Sequence, residues 1–222
     1  EDHYSSALDI AILAGKIIDE FPEYFYYYSQ QTYAFDQAKD MKTGEPILQY
    51  NRNKLLRRDS SVDGMKTGYT KSAGYCLVAT AMRDGRRLIA VVTGAKSPDE
   101  RNNAATALLN YGFRFFEERM IIENNKNYGE AQVWKGEEDK VQMVTKDEVK
   151  QTLAKGMFDE IESSIEIFGP LIAPLKVDEP IAKLTMKLDG EIIAESSLYP
   201  KKEVKKDSLW GQLYDSALLL ME

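Results

Sequence analysis

The chain has 222 residues, of which 43% are hydrophobic and 29% are charged, as is typical of a soluble globular protein with one or two domains. Its formal net charge of -7 argues against nucleic acid as a partner, because phosphate neutralisation requires clustered Lys and Arg. No apolar run reaches the roughly 18 residues of a spanning helix, so we expect no membrane-crossing segment.

The amino-terminal part of the chain predicts a helix and then two extended segments. Ser5 or Ser6 can cap a helix that runs through Ile18 with an apolar face, and the Phe-Pro pair at 21–22 ends it. Residues 32–50 have the pattern of two short extended pieces joined by a polar turn.

The part of the chain that follows has the clearest strand pattern. Residues 62–70 read as extended, and residues 75–82 form a nearly continuous apolar run of strand length. The Asp84-Gly85 pair predicts a hairpin into a second apolar strand at 88–93. Two such runs with few polar interruptions are typical of central strands that are covered on both faces.

A helix start follows these strands. The run Ser97-Pro98-Asp99-Glu100 matches a capping box, with Pro at the first helical position and Glu at the third. The predicted inner face of this helix carries six apolar residues, namely Ala104, Ala105, Leu108, Leu109, Tyr111 and Phe115. The sequence therefore predicts one layer of sheet packed on helices.

After about residue 118 the pattern changes to short β-prone pieces separated by turn signals, which is typical of a small all-β domain. Apolar residues at helical spacing then follow a lysine-rich stretch and predict an amphipathic tail helix. We therefore divide the chain into a first domain at 1–118, a β-rich domain at 119–206 and a tail helix at 207–222. The tail could dock on its own or a neighbouring chain, or lie on a membrane surface.

The triplet Lys66-Thr67-Gly68 lies on the extended segment at 62–70 and matches a motif of penicillin-recognising serine enzymes. A second copy, Lys42-Thr43-Gly44, lies among turn residues, so we interpret it as a solvated loop. The residue types of the later copy suit acyl transfer on a peptide with a free carboxylate, because they supply a positive charge and a hydroxyl. The glycine has no side chain, so a substrate backbone can lie against the strand, whose N–H groups can serve an oxyanion.

The segment from Asp63 to Ala95, with the capped helix that carries Arg101, resembles the low-molecular-mass penicillin-binding proteins that are serine D-alanyl-D-alanine carboxypeptidases. The runs His3-Tyr4-Ser5-Ser6-Ala7 and Asn51-Arg52-Asn53 also match that family's pattern. The resemblance implies an α+β fold. Part of a penicillin-binding, β-lactamase-like transpeptidase domain, with an antiparallel sheet and helices, precedes a small all-β domain and an amphipathic carboxy-terminal helix.

The resemblance also implies an activity and a location. The activity is removal of the terminal D-alanine from peptidoglycan stem pentapeptides, with acylation by β-lactam antibiotics. The location is the periplasm, peripheral to the inner membrane, whose surface the tail would contact. The reaction needs no cofactor or metal, and with one His and one Cys the chain cannot assemble a zinc site of the usual His/Cys types.

The same resemblance assigns the site residues. The Lys-Thr-Gly triplet at 66–68 is catalytic, and Thr67 also binds substrate. The other substrate-binding residues are Arg101, Arg52 and His3. Each of these three has a structural alternative: Arg101 could be a charge on the helix surface, Arg52 could belong to a buried ion pair, and His3 could be peripheral.

The family's two other motifs, Ser-x-x-Lys and Ser-x-Asn, do not occur in the chain. The first supplies the nucleophile and a base, without which a serine oxygen attacks poorly. Because the family places both motifs upstream of the segment at 3–7, we expect the chain to be the carboxy-terminal part of a longer enzyme. Its missing amino-terminal segment would then be a partner, and the strands at 75–93 would lack part of their cover.

Two other functions remain open at this point. A class A-type β-lactamase would need a glutamate that activates water; Glu45 is the nearest, and the appended β-domain argues against this function. A non-enzymatic scaffold would keep a degenerate first domain, while the β-domain and tail hold partners or the membrane. Ser-x-x-Lys and Ser-x-Asn in the coding sequence just upstream would settle the question for the enzyme.

Overall fold

The computed structural model describes residues 4–219, except for the side chains of residues 36–38. This part of the chain forms two compact units, one that ends at Phe116 and one that begins at Glu117. The α-helices are α1 (Ala7–Glu20), α2 (Pro22–Ser29), α3 (Leu55–Arg58), α4 (Pro98–Phe115) and α5 (Leu209–Leu219). The strands are β1 (Thr32–Lys39), β2 (Pro46–Tyr50), β3 (Val62–Thr70), β4 (Gly74–Arg83), β5 (Arg86–Ala95), β6 (Phe116–Ile122), β7 (Asn127–Trp134), β8 (Lys140–Thr145), β9 (Val149–Ala154), β10 (Glu162–Ile167), β11 (Leu171–Ile172), β12 (Ala182–Leu188) and β13 (Glu191–Pro200).

Helix α1 begins at a reciprocal cap. The Ser6 hydroxyl accepts a hydrogen bond from the backbone N–H of Asp9 at 3.1 Å, and the Asp9 carboxylate accepts the N–H of Ser6 at 3.0 Å. The hydrogen bonds from the backbone and the hydroxyl of Ser6 also lower the pKa of Asp9. The predicted helix with Ser6 as its cap is confirmed, although it continues to Glu20 before the Phe-Pro pair ends it.

Strands β1 and β2 form an antiparallel hairpin, which confirms the two extended pieces predicted for residues 32–50. The second Lys-Thr-Gly copy lies in the turn between them. The Asp40 carboxylate organises this turn, since it accepts the N–H of Lys42 at 2.8 Å and of Thr43 at 3.0 Å. All three residues of the copy are exposed, so its interpretation as a solvated loop is confirmed.

The first unit contains a three-stranded antiparallel sheet in the order β3-β4-β5. The Asp84-Gly85 pair joins β4 to β5 with positive φ angles of 49° and 77°, as its hairpin signal predicted. Helix α4 packs on this sheet, and the core between them includes Leu77 of β4 with Ala105 and Leu109 of α4. The predicted layer of sheet packed on helices is confirmed.

The buried face of α4 differs from the prediction. Leu108, Tyr111 and Phe115 are about half exposed, at 48%, 55% and 48%. The stripe that faces the sheet instead runs through Arg101, Asn102, Ala105 and Leu109, all at most 5% exposed. The buried positions of α4 include the polar residues Arg101 and Asn102. A prediction from apolar residues alone therefore placed the inner face of the helix too far toward Tyr111 and Phe115.

The two strands that were predicted to be central differ in how completely they are covered. Strand β4 has buried residues on both faces, including Leu77 and Thr80. Strand β5 lies at the edge of the sheet as the structure describes it, and in it only Ala90 and Ala95 are buried. Helix α4 lies against one face of β5, at Leu88, and α1 against the other, at Ile89, so β5 is covered on both faces but less completely than β4.

The second unit is built mainly of strands. Six of them form one sheet in the order β10-β12-β13-β8-β7-β11, and β6 pairs with β9. Alternating residues of these strands supply its core, including Val133, Val141, Leu184 and Leu198, each 0% or 1% exposed. The amphipathic tail helix is present as α5, and across residues 4–219 no helix is long and apolar enough to cross a bilayer.

Gly74 is a position where a side chain should be costly. It has a φ of +66°, and an added Cβ would lie 3.0 Å from the Ala95 carbonyl oxygen. We expect Gly74→Ala to lower the free energy of unfolding by about 2 to 3 kcal/mol, measured by urea denaturation. Gly44→Ala is the matched control, because Gly44 has a φ of +71° and nothing within 4 Å of the added Cβ. That variant should lose about 1 kcal/mol, and equal losses would contradict a role for the contact.

Candidate active site

Strand β3 is fixed at its beginning by a charged network. The Asp63 carboxylate accepts two hydrogen bonds from Arg87, both at 2.7 Å, and one from the Thr80 hydroxyl at 2.6 Å. The Arg87 guanidinium also lies over the ring of Phe25 in α2, 4.9 Å from its centroid. A bidentate pair of this kind fixes the relative orientation of its two side chains as well as contributing energy. It therefore fixes the start of β3 and the direction of the strand.

A buried asparagine holds the loop before α3 against the same strand. Asn53 is 0% exposed; its side-chain amide donates to the Gly64 carbonyl at 2.9 Å and its side-chain oxygen accepts the N–H of Leu55 at 3.1 Å. The Asn51 side chain in turn accepts the N–H of Asn53 at 2.9 Å. In the Asn-Arg-Asn run, the two asparagines therefore hold the loop in place, and they position Arg52 between them beside β3.

The Lys-Thr-Gly triplet lies in the second half of β3. Thr67 is opposite Leu77 and Gly68 opposite Cys76 in the ladder with β4, and the Lys66 ammonium donates to the Thr67 carbonyl at 2.7 Å. As far as the structure describes the chain, β3 pairs with β4 alone, so its other edge is open. An open edge with an exposed glycine can pair with an extended peptide.

Thr67 and Gly68 line a cleft of about 570 Å³, which we call the triplet cleft. Arg52 and Arg101 also line it, as the predicted substrate-binding roles require. Among the described residues of its lining there is no carboxylate, although the whole chain carries a net charge of -7. The triplet cleft is therefore a locally positive site, suited to an anion.

Arg101 is the most unusual residue of the triplet cleft. It is 5% exposed, and its guanidinium donates to the Cys76 carbonyl at 3.3 Å and lies 5.8 Å from the Tyr75 ring centroid. Its Nε is buried without a hydrogen-bond partner among the described residues, and burial lowers the pKa of the guanidinium. The alternative of a helix-surface charge is wrong, and the missing counter-charge suits a bound carboxylate.

The other two predicted substrate-binding residues have different outcomes. Arg52 is exposed at the triplet cleft and makes no ion pair with the residues that the structure describes, so a buried ion pair is the wrong interpretation. His3 lies outside the described residues. Among the side chains that the structure describes, groups of three or more His, Cys, Asp or Glu in metal-binding arrangement do not occur.

Sequence reasoning missed several residues of the lining. Lys54, Arg57 and Tyr50 contribute to the triplet cleft, together with Tyr75, whose ring centroid lies 4.3 Å from that of Tyr69. The available signal was the density of basic residues between 52 and 58. On its own such a run is more often a solvated surface, and only the position of α3 brings it to the cleft.

The chain is similar to known proteins along nearly its whole length. Residues 1–97 match the family described as D-alanyl-D-alanine carboxypeptidase, and residues 116–206 match the penicillin-binding protein 5 C-terminal domain. D-alanyl-D-alanine carboxypeptidase DacA of Haemophilus influenzae is 34% identical over 224 residues, which cover 100% of this chain and 55% of that protein. DacF of Bacillus subtilis is 31% identical, with 93% of this chain and 52% of that protein covered.

A solved structure is also similar. Penicillin binding protein 5 from Haemophilus influenzae matches with a TM-score of 0.72 and 35% identity, covering 92% of this chain and 58% of that chain. The chain thus spans about half the length of the curated relatives it matches. Its first part is similar to the D-alanyl-D-alanine carboxypeptidase family and its second part to the penicillin-binding protein 5 carboxy-terminal domain, so the chain resembles a fragment of a low-molecular-mass penicillin-binding D-alanyl-D-alanine carboxypeptidase.

Proposed function

We propose that this chain supplies the substrate-binding half of a serine D-alanyl-D-alanine carboxypeptidase that acts on peptidoglycan stem pentapeptides. The observation that carries the proposal is Arg101, a buried cation beside Thr67 in a cleft that lacks a carboxylate among its described lining residues. The substrate's terminal carboxylate provides the missing counter-charge. The peptide backbone then extends along the open edge of β3, next to Gly68.

The reaction that this arrangement supports is acyl transfer followed by hydrolysis. A serine oxygen forms a bond to the carbonyl carbon of the peptide bond that joins the terminal D-alanine to the residue before it. Strand β3 can offer backbone N–H groups to the resulting oxyanion. The C–N bond breaks, D-alanine leaves with a proton on its amine, and water then cleaves the ester. Lys66 does not line the triplet cleft itself, but it precedes Thr67 on β3 and donates to the Thr67 carbonyl, so it would add positive charge at the edge of the site. A β-lactam presents a similar carbonyl and carboxylate, so it would be captured at the same ester stage.

We propose that the nucleophile comes from a segment outside these 222 residues. No serine of the chain has Lys three positions later, and the matched relatives are about twice as long. Leu8, Ile12 and Leu13 of α1 are 69%, 56% and 60% exposed, and together they form an apolar face in need of cover. This face supports an amino-terminal partner segment that packs on the first unit.

We also propose that the protein acts in the periplasm at the surface of the inner membrane. Helix α5 supports this location, because Trp210, Leu213 and Tyr214 are 83%, 63% and 68% exposed. Lysines at 201, 202, 205 and 206 precede it and suit anionic lipid headgroups. A scaffold or β-lactamase function has less support, and Glu45 does not line the triplet cleft.

Intact-mass measurement with penicillin tests the proposed function. The 222-residue chain alone should gain no adduct, because the Ser-x-x-Lys motif that would supply the nucleophile and its base does not occur in it. A longer protein that includes the proposed amino-terminal segment should gain one penicilloyl group. Acylation of the short chain would contradict the external nucleophile, and an unmodified longer protein would contradict the enzyme.

A matched pair of variants in the longer protein tests the cleft itself. Thr67→Val should slow penicillin acylation by at least about ten-fold, because a hydroxyl that binds the carboxylate is lost. Thr43→Val, in the solvated copy of the triplet, should leave the rate unchanged. Equal rates in the two variants would show that the copy on β3 has no special function.

A further inference from the structure

Two cations of the triplet cleft have no function in the proposed reaction. Lys54 immediately precedes the short helix α3 and Arg57 lies within it; we call these two residues the α3 cations, and they line the cleft with Arg52. Leu55 and Leu56 are 1% and 6% exposed, so they anchor this helix in the core of the first unit. Because the apolar residues are buried, the α3 cations extend from a fixed support.

The α3 cations are available to a ligand. Lys54 contacts Asp99 at 3.2 Å, but both side chains are well exposed, and such surface pairs are weak enough to exchange. Asp99 also lies 3.8 Å from Arg58, which could retain it. Arg57 lies over the Tyr50 ring, 5.6 Å from its centroid, and pairs with no carboxylate among the described residues.

We propose that the α3 cations form a second anion-binding subsite, which recognises a free carboxylate in the body of the peptide substrate. This inference rests on the proposed function, in which Thr67 and Arg101 hold the terminal carboxylate. An extended peptide advances about 3.3 Å per residue, so residues before the terminal pair must lie farther along the cleft. A carboxylate there would carry a full negative charge toward the two cations. A carboxamide would offer them only a dipole, so its attraction would be weaker. The subsite therefore selects substrates whose side-chain or branch carboxylate is not amidated.

Calorimetric binding to the 222-residue chain tests the subsite with three synthetic peptides. Two end in D-Ala-D-Ala and differ only in Glu or Gln two residues before that pair, and the third is the Glu peptide with a terminal amide. The chain should bind the Glu peptide about five-fold more tightly than the Gln peptide. Raising the salt concentration to about 1 M should shrink the difference.

A charge-matched pair of variants separates the subsite from general electrostatics. Lys54→Ala/Arg57→Ala should bind the Glu and Gln peptides equally. Lys42→Ala/Arg114→Ala, which removes two exposed charges outside the cleft lining, should keep the five-fold preference. A preference that persists in the first variant would overturn the assignment to the α3 cations.

The third peptide separates failure of the subsite from failure of the proposed function. If the chain binds the Glu and Gln peptides equally but binds the terminal amide more weakly, the subsite is wrong and terminal recognition stands. If the terminal amide binds as tightly as the acid, or no peptide binds, the proposed function of the cleft is wrong and the subsite is overturned with it.

Discussion

Replacing Arg101 with methionine should remove recognition of the substrate's terminal carboxylate and leave the fold at least as stable as before. The guanidinium is buried in the triplet cleft with an unpartnered Nε among the described residues. Loss of one member of a buried charge pair costs about 2 to 5 kcal/mol, which is a roughly 30- to several thousand-fold weaker interaction. Methionine fills a similar space without a charge to desolvate, so the free energy of unfolding should stay equal or rise.

Peptide binding and thermal unfolding together check this expectation. Arg101→Lys is the control, because it keeps the charge but loses the planar fork, and it should retain part of the affinity. A peptide with a terminal amide should bind the wild type and Arg101→Met equally weakly. If Arg101→Met binds the terminal acid as the wild type does, or unfolds several kcal/mol more easily, then the arginine is a structural residue.

Replacing Asp63 with alanine should destabilise the first unit by about 2 to 3 kcal/mol. The change leaves the Arg87 guanidinium without a counter-charge, although the Arg87 side chain is only 22% exposed. It also removes the acceptor of the Thr80 hydroxyl. The full cost of a buried pair is discounted here because both charged partners keep some solvent contact. Because the network fixes the start of β3, the Lys-Thr-Gly triplet should also lose its position.

A double-mutant cycle measured by urea denaturation checks this expectation. Asp63→Ala/Arg87→Met should recover most of the lost stability, since no uncompensated charge remains. Asp99→Ala is the control for an exposed pair and should cost no more than about 0.5 kcal/mol, because the Asp99 side chain is 67% exposed. Additive losses in the double variant would mean that the two residues stabilise β3 independently.

The parts of the fold that sequence predicted well depend on local chemistry. The Ser6 cap, the Asp84-Gly85 hairpin and the Ser97 helix start each need only residues within four positions of one another. The Lys-Thr-Gly triplet on β3 was distinguished from its copy on the same grounds, because turn residues surround the copy.

The parts that sequence did not predict depend on contacts between distant residues. The buried face of α4 includes Arg101 and Asn102, and a polar residue in a core stripe is invisible to an apolar pattern. The α3 cations reach the cleft only because Asn53 ties their loop to Gly64, eleven residues later in the chain. Neither arrangement leaves a periodic signal in the sequence.

The open edge of β3 has a consequence for the solubility of the protein. A strand with unpaired backbone groups on one edge is a template on which other chains can add strands and aggregate. If this edge binds substrate, as proposed above, a permanent neighbour cannot cover it, so another protection is needed. Lys66 is exposed on this strand, and a charged lysine on an edge is a common deterrent to pairing between copies. Under the proposed function, the same ammonium would serve acyl transfer and protect the protein against self-association.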